Sequence, residues 1–68
     1  MNDDAFNMSM RKFLKSVGVT SQQKIEEAVR AAEKAGQLPD QLTVTVELRM
    51  PELGLHHTVD GQITVESP

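Results

Sequence analysis

The sequence predicts an α+β fold in the order ααββ, with a helical hairpin packed on one face of a small antiparallel sheet. Two observations predict it. Apolar residues recur every three or four positions before Pro39-Asp40 and every second position after it, and these are the side-chain periods of a helix and of a strand. The helical part is also punctuated, by Gly18 in its middle and Gly36 at its end, which divides it into two helices. Sixty-eight residues allow one domain, residues 1–68.

The first helix is expected from about Asp4 to Val17. Phe6, Met10, Phe13, Leu14 and Val17 fall in one stripe about 100° wide at 100° per residue. Asn2, Asp3 and Asp4 supply capping oxygens and negative charge at the positive helix end. Gly18 follows as the residue able to take a left-handed turn.

The second helix is expected to begin at Thr20 or Ser21. Thr20-Ser21-Gln22-Gln23 fits a capping box, a hydroxyl residue followed three later by Gln. Its stripe is Ile25, Ala28, Val29 and Ala32, with Ala35 at the edge, so it approaches a neighbour closely but buries little area. Gly36 ends it, and Leu38-Pro39-Asp40 prevents a restart.

From Leu42 to Met50 the alternation is unbroken: Leu42, Val44, Val46, Leu48 and Met50 against Thr43, Thr45, Glu47 and Arg49. Pro51 to Gly54 reads as a reversal. A second alternation sets Leu55, His57, Val59, Ile63 and Val65 against the polar residues between them. With Pro51–Gly54 as the loop, every apolar residue of the first strand meets the apolar phase of the second, as a one-sided sheet requires. Gly61 then falls opposite Val44, as a bulge or a point of close helix approach. The alternative is a three-stranded meander turning at Asp60-Gly61, itself a strong turn signal. The long two-stranded hairpin is favoured, because its strands match in length. Ser67-Pro68 and the first few residues read as frayed ends.

Composition excludes several functional classes. The chain has no cysteine, so disulfides and thiolate metal sites are absent. Its start is acidic, unlike a secretory signal, and no run approaches the ~20 apolar residues of a membrane span. A bacterial-type cytoplasmic setting is expected. Residues 1–38 carry six Lys/Arg against five Asp/Glu, +1, and residues 39–68 one Arg against five, −4, which together give the net −3. That balance argues against strong nonspecific attraction to phosphate backbones.

Chemistry-bearing residues are few. Consecutive His56 and His57 on a strand leave opposite faces, so they cannot readily share a metal ion, and a zinc site needs further ligands. His57 lies in the apolar phase, where burial would weaken folding in acid. Ser9, Ser16, Thr20 and Ser21 lack any nucleophile context, Glu26-Glu27 diverge by 100° on a helix, and no glycine-rich phosphate loop is present. No catalytic residue, cofactor, metal or small-molecule substrate is therefore expected.

Two resemblances bear on function. Leu14 to Ile25, with glycine in the middle, resembles the turn of helix-turn-helix proteins. By that resemblance Gln22, Gln23 and Lys24, beginning with Ser21, would reach bases while Lys12 and Lys15 sit on phosphates. The resemblance spans about a dozen residues and lacks a third helix. Across nearly the whole chain, Asp4-Ala5-Phe6-Asn7-Met8, Arg11-Lys12-Phe13-Leu14-Lys15, Val17-Gly18-Val19-Thr20-Ser21-Gln22, Leu53-Gly54-Leu55 and Val59-Asp60-Gly61 resemble a family of short bacterial proteins of unknown function. That resemblance implies a stand-alone bacterial domain and no activity, cofactor or partner.

The expectation that emerges is a small noncatalytic interaction or structural module. Its partner is another protein or a second copy, added at a sheet edge where backbone groups stand unpaired. Nucleic-acid binding through residues 14–25 is the alternative.

Overall fold

The computed structural model describes residues 1–66, so the frayed end expected at Ser67-Pro68 lies outside the described residues. Its elements are helix α1 (Asp3–Lys34), strand β1 (Gln41–Met50), a short 3-10 turn (Pro51–Leu53) and strand β2 (Leu55–Thr64). Contacts divide the chain after Leu38 into two units.

The first unit corrects the expectation of a helical hairpin. One helix of 32 residues replaces the two, and Gly18 to Gln23 lie within it as ordinary turns. The physical reason lies in the competition between local signals and helix continuity. Ending a helix orphans four carbonyls and restarting it orphans four amides, whereas a glycine inside it costs only about 1 kcal/mol relative to alanine. No proline lies between Asp3 and Lys34 to force the break. Thr20, the expected cap, instead donates its hydroxyl to the carbonyl of Ser16 at 2.8 Å, the back-bond that lets a hydroxyl residue sit inside a helix.

Both true ends are capped. Asn2 Oδ1 accepts the amide of Ala5 at 3.0 Å, and Asp3 and Asp4 occupy the first turn, where negative charge meets the helix dipole. At the other end Gly36 takes φ +69°. The Gln37 amide donates to Ala32 O at 2.9 Å and the Gly36 amide to Glu33 O at 3.1 Å, the paired bonds of a Schellman cap.

The Gly18→Ala variant follows from this arrangement. A Cβ at Gly18 meets nothing within 4 Å, and its φ is not positive. The substitution is expected to stabilise the helix by roughly 0.5–1 kcal/mol, read as a higher midpoint in helical circular dichroism. A left-handed hinge at Gly18 would give a loss instead.

In the second unit the long hairpin expected from the sequence forms, and the meander does not. Met50 pairs with Leu55, Leu48 with His57, Val46 with Val59, Val44 with Gly61 and Leu42 with Ile63. Pairing is one-to-one through Asp60 and Gly61, so that dipeptide is neither turn nor bulge. Asp60 Oδ1 instead accepts the Thr45 hydroxyl across the strands at 3.0 Å. The reversal is made by Pro51 at the head of the 3-10 turn and Gly54 at φ +64°, ψ +24°, whose amide donates to Pro51 O at 3.2 Å.

Candidate functional site

Neither unit can enclose a core alone, and among the described residues none is buried. A lone helix has nothing to lay over its own stripe, and a two-stranded sheet has two faces. What each unit offers by itself is therefore surface.

On α1 the stripes expected of two helices merge into one. From Phe6 to Ala35 is 29 positions covered in eight turns, about 3.6 residues per turn, so the stripe runs straight along an ideal helix. Phe6, Met10, Phe13 and Leu14 are exposed, with Phe13 at 60%, and Val17, Ile25, Val29 and Ala32 are half-buried. The bulky side chains lie in the first half of the helix and alanines dominate the second.

On the hairpin the apolar phase holds Leu42, Val44, Leu48 and Ile63 half-buried. Val46 and Val59, paired at the centre, are 42% and 52% exposed. The helical hairpin expected to cover them does not form, because α1 is one helix. The opposite face is polar, with the Glu47–Arg49 ion pair at 2.9 Å. Because the Val65 amide donates to Asp40 O at 2.8 Å, antiparallel alternation turns the amides of Thr43, Thr45, Glu47 and Arg49 to the outer edge of β1.

The residues singled out for nucleic acid share α1 but not one face. Lys12, Lys15, Gln22 and Gln23 lie within about 100° of one another at 100° per residue, and Lys24 points about 100° beyond them. All five are exposed. The Gln22 amide donates to Glu26 at 3.2 Å and Lys24 pairs with Glu27 at 3.3 Å. With no turn between residues 14 and 25, no recognition helix is set off from a supporting one, and the helix-turn-helix resemblance has no structural counterpart.

His56 stands opposite Arg49 and His57 opposite Leu48, on the two faces of the sheet. His57 is exposed, so the burial on which a loss of stability in acid depended is not found. Among the described residues no three His, Cys, Asp or Glu side chains gather as a metal site. A surface depression lined by Ala5, Met8, Ser9, Arg11 and Lys12 lies along α1, where a single helix has no second wall to enclose a ligand. No helix among the described residues is long and apolar enough to cross a membrane.

The feature that sequence reasoning missed is the continuity of the α1 stripe. The signal was available as an unbroken run of spacings of three and four through Ser21.

No curated protein and no solved structure matches the chain. A model of a family of unknown function, DUF6494, matches residues 1–66. That span takes in every element described above, from the Asn2 cap to the last residue of β2, and the chain belongs to this family.

Proposed function

We propose that the chain is a noncatalytic protein-interaction module of the bacterial cytoplasm, in which another protein chain completes a core that this one only half supplies. The observation that carries the reading is the coexistence of a long apolar helix stripe and an apolar sheet face with no buried residue among those described. Small domains below roughly 70–80 residues often rely on an added staple, and without cysteine the means left are good helix packing or a partner chain. An isolated two-stranded hairpin is marginal in water, and an isolated helix draws little stability from propensity alone. Both units gain by association.

Amide hydrogen exchange tests the reading. A dilute chain is expected to exchange its hairpin amides rapidly, and an associated chain to protect them. Slow exchange and sharp cooperative melting in the dilute chain, both independent of concentration, would refute it.

A further inference from the structure

Resting on that reading, we propose that the occupant of the α1 stripe is the same stripe of a second copy, running antiparallel about a two-fold axis at Ser21.

The distribution of side-chain size along the stripe carries the proposal. A two-fold at Ser21 sets position n opposite position 42 − n. Met10 then faces Ala32, Leu14 faces Ala28 and Val17 faces Ile25. Met10 and Leu14 of the first half thus meet alanines of the second, and Val17 and Ile25 match evenly. Facing positions that alternate in size interdigitate at native density. Ser21, small and half-buried, lies at the crossing itself, where a large side chain would hold the helices apart. A parallel pair would instead set Phe on Phe and Ala on Ala, overfilled at one end and empty at the other.

Charge selects the same orientation. Arg11 and Lys15, on one flank of the stripe, are cations with no carboxylate between them, whereas residues 24–34 balance Lys24, Arg30 and Lys34 with Glu26, Glu27 and Glu33. An antiparallel pair sets the cations beside the balanced stretch, with Arg11 on the same flank as Glu33 and within about 3 Å of it along the axis. A parallel pair stacks the cations on their own copies. Pairing at the sheet edges is opposed by charge, because residues 39–68 carry −4 in each copy and like charges repel.

An anionic membrane is the competing occupant for the first half of the helix, since Ala5 to Ile25 holds four cations and no carboxylate, the composition of interfacial helices. The stripe, however, continues beside Glu26, Glu27 and Glu33, which suits another helix and not a lipid surface of the same sign.

The test uses the full chain. Sedimentation equilibrium is expected to give the mass of two chains, and Phe13→Glu, which puts a charge on the stripe, to weaken the dimer by roughly tenfold or more. Lys12→Glu, on the opposite side of the helix, is expected to leave the dimer intact. Because the chain lacks cysteine, disulfide trapping is clean: Met10→Cys alone is expected to stay uncrosslinked, and Met10→Cys mixed with Ala32→Cys to give a covalent dimer. This readout does not depend on Phe13→Glu remaining folded.

Self-crosslinking of Met10→Cys would mean a parallel pair and overturn the proposal. A dimer that survives Phe13→Glu but is lost in Thr43→Pro, which blocks the outer edge of β1 without removing a ladder bond, would overturn it while leaving the interaction reading intact. A monomer that binds phosphatidylglycerol vesicles would overturn it in favour of the membrane. A monomer whose cooperative melting ignores concentration would remove both readings.

Discussion

Gln22→Pro is expected to cost about 3 kcal/mol or more and to remove a large part of the helical circular dichroism. Proline at this position deletes the amide that bonds back to the carbonyl of Gly18 and drives its ring against that carbonyl. Gln22 is exposed, so the substitution removes no buried side chain. The size of the effect discriminates between architectures. In a chain with a second helix beginning at Thr20 or Ser21, residue 22 falls in the first turn, where proline is tolerated and even favoured. A variant with unchanged helicity and unchanged midpoint would show that the chain bends here in solution.

The second large effect is expected at the hairpin reversal. Gly54 holds φ +64°, a left-handed conformation that costs an L side chain roughly 1–2 kcal/mol. Its surroundings are open, with nothing within 4 Å of a built Cβ, so the cost is one of backbone conformation and not of a clash. Gly54→Ala should therefore lower stability by that amount, and Gly54→Asn by less, because asparagine visits this region more readily. Chemical denaturation of both variants at one fixed protein concentration checks the ranking. Equal midpoints for wild type and Gly54→Ala would mean that the reversal does not need the left-handed residue.

These two variants mark where the sequence was legible and where it was not. The hairpin register could be argued in full because a strand's period of two leaves no middle ground: shifting by one residue would have turned Leu42, Val44, Val46 and Leu48 onto the polar side. Phase did not decide against a turn at Asp60-Gly61, which would keep the faces consistent too; the matched lengths of the two strands did. The helix carried no such constraint. Gly18 and Thr20-Ser21-Gln22-Gln23 are each sound local punctuation, yet each acts with about 1 kcal/mol. Continuity wins when no proline enforces a stop. The surface residues followed the same division. Lys12, Lys15, Gln22, Gln23 and Lys24 were identifiable as exposed, but their grouping as a reading head depended on a turn that does not form. What the stripe docks against depends on a second surface, and one chain's sequence holds that only if the partner is itself.

An uninterrupted α1 also constrains how the family can change in length. Removing or adding one residue anywhere between Phe6 and Ala35 rotates everything beyond it by 100° and throws the two ends of the helix out of phase. Changes of seven or eleven residues nearly restore the phase, so relatives whose helices differ in length should differ by those steps. A jointed pair of helices would have absorbed any indel in its loop.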